Sequence, residues 1–171
     1  MGCSRYTVEI YASGYQMNKA KILLWSLVIF ITTFEFDRVT KQYALDHWVT
    51  AQKINQFLSF ELVFNRGVTA GMFHTENPLG FLLLSIFVAC IALVLAVYAY
   101  FRWCQESIIF AESVVLSGAV SNLIDRILYG GVIDFIAVSF YGWQFPVFNI
   151  ADTCIVLGVI AIFLMNMRKK D

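Results

Sequence analysis

Residues 78–101, PLGFLLLSIFVACIALVLAVYAYF, run without one charged side chain. A helix needs about 20 apolar residues to cross a hydrocarbon core of about 30 Å. This run is long enough to span a bilayer. Three further stretches approach the same length: AKILLWSLVIFITTFEF at 20–36, SIIFAESVVLSGAVSNLIDRI at 107–127 and FNIADTCIVLGVIAIFLMNM at 148–167. The expected fold is therefore membrane all-α, with four transmembrane helices.

Composition agrees. Hydrophobic residues make up 60% of the 171-residue chain and charged residues 14%, with mean hydropathy +0.72. A soluble domain of this size carries far more charge. The formal net charge is zero, so nothing calls for nucleic acid as a partner. Two histidines, His47 and His74, are too few for a histidine-rich metal site, and HExxH is missing, so no metal or cofactor is expected. The cysteines Cys3, Cys90, Cys104 and Cys154 form no CxxC pair and read as reduced thiols.

An even number of spans puts both termini on one side. Arg5, Lys19, Lys21, Arg102, Arg168, Lys169 and Lys170 fall on that side; Arg38, Lys41, Lys53, Arg66 and Arg126 fall on the other. The excess of basic residues places the termini and the turn between spans two and three in the cytoplasm. The loops after spans one and three then face outward. Residues 1–16, MGCSRYTVEIYASGYQ, have neither periodicity nor a signal-peptide core, and MNKAKILLW offers a second start at Met17. They read as an extension outside the native protein, and 17–171 reads as one domain.

In the first outward loop, 39–77, Leu58, Phe60, Leu62 and Phe64 alternate with Ser59, Glu61 and Val63. A period of two marks a half-buried strand. Asn65-Arg66-Gly67 supplies a turn, and a second short strand is expected at 68–73. The result is a small sheet lying on the outer interface. The second outward loop is crowded with Phe135, Phe140, Tyr141, Trp143, Phe145 and Phe148, which suits the headgroup level.

Ionisable groups near a bilayer are functional candidates by default. Here they gather in one layer: Asp37 and Arg38 end span one, Asn122, Asp125 and Arg126 end span three, Asp134 lies in the loop, and Asn149 and Asp152 open span four. Plainer readings exist for each. Asn149 and Asp152 fit a helix cap; Asp37 and Lys41 fit a pair one turn apart; Asp125 and Arg126 fit interface anchors. The convergence of three helix ends and a loop on one layer favours a site. Small residues (Ser117, Gly118, Ala119 and Ser121) let span three pack closely there. Two carboxylates that share a site cannot comfortably both ionise, so one is a base and the other an acid. Asp134 and Asp152 suit those roles best. Glu112, near the other end of span three, has no assigned function.

SGAVSNLIDRILYGGVIDFI followed by FPVFNIAD, with DRVTK after span one and FNRGVTAGMF after the strand, resembles the lipoprotein signal peptidases, or signal peptidase II. The resemblance runs from about Met17 to the end of the chain. It implies a membrane aspartyl endopeptidase that removes signal peptides from bacterial prolipoproteins, cutting on the amino side of a diacylglyceryl-modified cysteine. It implies Asp134 and Asp152 as the catalytic pair, and Asp37, Asn65, Gly67, Asn122, Arg126 and Asn149 as substrate-binding or supporting residues. Asp125 takes a structural role. It further implies an extracytoplasmic β-cradle in the first outward loop, and a mobile flap or helix over the substrate in the second. The partners are then lipidated prolipoproteins and membrane lipid, and the location is the bacterial inner membrane, the active site near its outer face. A monomer is expected. The chain departs from the family pattern at Ser121, where glycine is usual, at Arg38, where glutamine is usual, and around Ala70 and Gly71. Other classes weighed are a small proton-coupled transporter using the edge carboxylates and a non-catalytic assembly partner. Transport sites favour the bilayer midplane and repeated helices, and neither is visible in this sequence.

Overall fold

The computed structural model describes residues 17–67 and 77–167. Within them lie four long helices and a four-stranded antiparallel sheet: α1 (Lys19–His47), β1 (Gln52–Lys53), β2 (Leu58–Asn65), α2 (Pro78–Cys104), α3 (Phe110–Tyr129), β3 (Val132–Phe140), β4 (Trp143–Gln144) and α4 (Ile150–Met167). The readings made for residues 1–16, for a strand at 68–73 and for the basic tail at 168–170 fall outside the described residues.

Helix ends follow side-chain chemistry. Asn18 caps α1 by accepting from the Lys21 N–H, and Asn77 caps α2 by accepting from the Leu79 N–H, with Pro78 in the first turn. At the end of α3, Gly130 adopts a left-handed conformation (φ 66°), which glycine permits without a Cβ clash. Two helices, α2 and α4, are long and apolar enough to cross a membrane by length and composition. The more polar α1 and α3 bury their polar groups against each other and against α4.

One expectation is sharpened and one is corrected. Span one was read as about 20–36 with its polar end left open, and α1 continues to His47. The extra turns carry Ala44, Leu45 and Trp48 onto the back of the sheet, where they pack with Ile133, Phe135, Phe60 and Leu62. Trp48 stacks on Phe60 with ring centroids 4.2 Å apart. The helix overruns because the sheet's apolar face needs a cover.

The correction concerns the sheet. It is not built from the first outward loop alone. The loop after α3, expected as an aromatic segment with a flap or helix, forms β3 and β4. The sheet order is β1-β2-β3-β4. Asn65 pairs with Val132 and Val63 with Asp134, and the register shifts between Phe60 and Val63. Tyr141 (φ 47°) and Gly142 (φ 83°) make the two-residue turn between Phe140 and Trp143.

Close packing of α3 on α4 follows from small residues. A Cβ on Gly118 would lie 2.6 Å from the Ala151 carbonyl oxygen, and one on Gly158 would lie 2.5 Å from a Val115 methyl. Gly118→Val is therefore expected to push the two helices apart and destabilise the protein by about 3 kcal/mol. Thermal unfolding in detergent measures this; an unchanged midpoint would contradict the packing described here.

Candidate active site

Strand geometry places the first group. Successive side chains on β3 point to opposite faces, so Ile133 and Phe135 enter the core while Val132 and Asp134 share the other face. Asn65, opposite Val132 on β2, reaches along that face to Asp134: its amide donates to Asp134 Oδ2 at 2.9 Å. The other carboxylate oxygen, Oδ1, accepts from Asn149 Nδ2 at 2.7 Å. Asp134 is 1% exposed.

Helix α4 places the second. Asn149 stands just before its first turn and accepts from the Asp152 N–H at 2.8 Å. Asp152 thus sits at the positive end of a helix, where a carboxylate is favoured. Its Oδ1 accepts from Asn122 Nδ2 at 3.0 Å.

The two asparagines are held in one orientation by groups that can only donate. Lys41 Nζ donates to Asn122 Oδ1 at 2.7 Å, so the Asn122 amide nitrogen must face Asp152. The backbone N–H of Asp152 occupies Asn149 Oδ1, so the Asn149 nitrogen faces Asp134, Asn122 Oδ1 (3.1 Å) and the Ile133 carbonyl (3.2 Å). Asp134 and Asp152 are joined through this pair of amides. Eighteen residues apart along the chain, they belong to a single hydrogen-bonded cluster.

Behind the asparagines lies a fully buried ion cluster. Lys41 Nζ is 2.8 Å from both Asp37 Oδ2 and Asp125 Oδ2. Asp37 also accepts from Ser121 Oγ (2.6 Å) and from the Ala151 N–H (2.7 Å) in the first turn of α4. Asp125 accepts from Arg38 and from the Ile133 N–H of β3 at 3.3 Å. Arg126 donates to the carbonyls of Gly67 (2.5 Å) and Asn122 (3.5 Å). All nine residues singled out in the sequence therefore converge on one layer. Glu112 is elsewhere: it is buried against Arg102, which ends α2. Lys41 and Ser121 were missed as members of the site, and Arg38 was placed in the layer without a role. The one-turn spacing of Asp37 and Lys41 was a signal for Lys41, but it shows a pair and not what surrounds it.

Burial, and secondarily the charge of Asp152, push the Asp134 carboxyl up to about 7, against the opposing pull of Asn65, Lys41 and Asn149. Asp134 is thus suited to keep a proton near neutral pH. Asp152, Asn122, Asn65 and Arg126 form the polar end of a cavity of about 340 Å³ whose remaining walls are mostly apolar side chains of α2, α3 and α4.

Fold and site together define a helical, strongly apolar protein with a linked carboxylate pair, one member of which, Asp152, borders an apolar cavity. The chain belongs to the signal peptidase II family: the family model described as "Signal peptidase (SPase) II" matches residues 29–168. It is therefore a peptidase of a membrane-protein family. A lipoprotein signal peptidase of Anaplasma marginale (strain Florida) is 32% identical over 152 residues, covering 87% of this chain and 86% of the relative. One of Staphylococcus aureus is 32% identical over 168 residues, covering 91% and 98%. A solved structure described as "Bacterial membrane enzyme structure by the in meso method" superposes with TM-score 0.68 at 27% identity, covering 85% of this chain and 89% of that one. The transporter alternative finds no support among these relatives.

Removing one partner of a buried ion pair leaves an uncompensated charge. Lys41→Met is expected to lower stability by about 3–5 kcal/mol. Thermal unfolding of the purified variant checks this; a loss below about 1 kcal/mol would show that Lys41 is not a tie between the elements.

Proposed function

We propose that this chain is an aspartic endopeptidase that removes the signal peptide from bacterial prolipoproteins, cutting on the amino side of the diacylglyceryl-modified cysteine. The observation that carries the reading is the linkage of Asp134 and Asp152 through Asn122 and Asn149. Asp152, at the cavity, takes a proton from the attacking water. Asp134, the acid, protonates the carbonyl oxygen; when the tetrahedral intermediate collapses, Asp152 passes the water's proton to the leaving amine and Asp134 takes its proton back from the intermediate's hydroxyl. Asn65, Asn122 and Asn149 hold the carboxylates in place; Arg126, with Gly67 as its backbone partner, contacts the substrate. Asp37 and Asp125, with Lys41, anchor the layer.

All four helices span the bacterial inner membrane in this reading. At about 1.5 Å per residue, the 20 residues of α3 reach about 30 Å, the thickness of a hydrocarbon core. The lipid-facing apolar side chains of α1, such as Leu24, Leu27 and Ile31, support its assignment as a span. The termini are cytoplasmic and the sheet lies at the outer face, where water and a lipid-anchored substrate meet. Residues 17–171 form one domain that works as a monomer, with residues 1–16 an extension. Its partners are lipidated prolipoproteins and membrane lipid, with no nucleic acid.

Asp134→Asn and Asp152→Asn are each expected to reduce cleavage of a lipidated prolipoprotein peptide by about 10³-fold or more while leaving thermal unfolding cooperative. Near-wild-type turnover by either purified variant would remove that residue from the mechanism.

The pH profile gives an independent check. Asp134 must carry its proton to act as the acid, and it sits at about 7. The ratio kcat/KM is expected to fall as pH rises through about 7. The Asn65 amide favours the ionised form, so Asn65→Ala raises Asp134 further and moves this limb to higher pH. A limb that stays put or moves to lower pH in Asn65→Ala would contradict the assignment of Asp134 as the acid.

A further inference from the structure

Arg126 forms part of the wall of two apolar recesses. One is the cavity of about 340 Å³ that Asp152 borders, running along Ile91 and Leu95 of α2 and Ile155 and Val159 of α4. The other is a groove of about 320 Å³ between α2 and α3, lined by Phe81, Ser85, Ala89, Leu123 and Ile127. The two terminal nitrogens of the guanidinium donate to backbone carbonyls, but its Nε–H is buried with no hydrogen-bond partner among the described residues. A buried donor left unmet costs free energy, so a ligand acceptor there is favoured.

The charge around Arg126 limits what that acceptor can be. Asp152, Asp134 and Asp125 all lie near enough to act on its charge. A phosphate would meet those carboxylates; a neutral ester carbonyl would not. A membrane phospholipid carries a phosphate beside its ester groups, whereas a diacylglyceryl thioether carries only the esters.

We propose that Arg126 marks a fork for a two-chain lipid: one acyl chain of the substrate enters the cavity below Asp152, the second lies in the α2–α3 groove, and the Nε–H donates to a glyceryl ester at the branch. The inference rests on the peptidase reading and deepens it, by making the second acyl chain a specificity element with its own subsite. The groove residues touch neither carboxylate of the pair in any hydrogen bond, so they can be altered without disturbing the chemistry.

The test uses prolipoprotein peptides whose first chain is palmitoyl and whose second is acetyl, octanoyl or palmitoyl, cleaved by the full chain in detergent. With the wild-type protein, KM is expected to fall about ten-fold or more as the second chain lengthens, since each added methylene is buried. Ala89→Trp, at an exposed position on α2, and Ser85→Phe, one turn earlier, fill the groove. Both are expected to flatten the dependence, raising KM for the dipalmitoyl peptide about ten-fold while kcat and the acetyl peptide stay unchanged. An unaltered chain-length dependence in both variants, or an equal loss on all three peptides, would overturn the fork. A wild-type protein that cleaves none of the peptides would overturn the peptidase reading itself, which is a different result from cleavage indifferent to the second chain.

Discussion

An ammonium buried in an apolar protein must find its counter-charges inside the protein, because water no longer supplies them. Lys41 is 0% exposed and finds Asp37, Asp125 and the Asn122 carbonyl oxygen, each within 2.8 Å. Each of these partners reaches on to a further element, two of them to α4 and one to β3. Asp37 takes the Ala151 N–H and so fixes the start of α4. Asp125 takes the Ile133 N–H and so fixes the start of β3. Asn122 takes the Asp152 carboxylate. One charge on α1 thereby sets the relation of α3, α4 and the sheet, and the two carboxylates inherit their positions from it. Ser121 and Arg38, two departures from the family pattern, both add donors to this cluster, to Asp37 and to Asp125.

Much of this layer was legible along the chain, and its limits have physical causes. Apolar runs marked the helices, because a bilayer-length run has few other uses. The β2 strand was legible from its alternation, and Phe60 and Leu62 pack on the core, but beyond the register shift the pattern breaks and Phe64 is exposed. The β3 strand was not legible. At its start both faces are buried, one against the core and the other in the site, so VIDFIA shows no alternation. Its partner β4 was signalled only by Tyr141-Gly142, a weaker hairpin signal than Asn-Gly. The overrun of α1 could not be read locally either. Ala44 and Trp48 gain their purpose from a sheet half of which lies far along the chain.

Asn149 shows why two readings of the same residues need not compete. Its spacing from Asp152 fits an ordinary helix cap, and it is one: Oδ1 accepts from the Asp152 N–H. That leaves the amide nitrogen, which goes to Asp134. Capping consumes the oxygen and so determines which atom faces the carboxylate. The cap that stabilises α4 is also the device that orients the site, and the helix's positive end falls on Asp152 for the same reason.

The placement of the pair then follows from its two neighbours. On one side the carboxylates are backed by amides and, through them, by a cation, which offsets part of the cost of burying charge beside a membrane. On the other side lies an apolar cavity that no water-soluble peptide would favour entering. Polar backing without the cavity would give a site open to any chain that drifted by. The cavity without the backing would leave two unpaired acids in an apolar wall, each driven to stay protonated and neither able to act as a base. Joining them in one layer lets Asp134 be raised only as far as about 7, because the amides and the Lys41 charge oppose what burial and Asp152 do, while the mostly apolar cavity stays open beside Asp152.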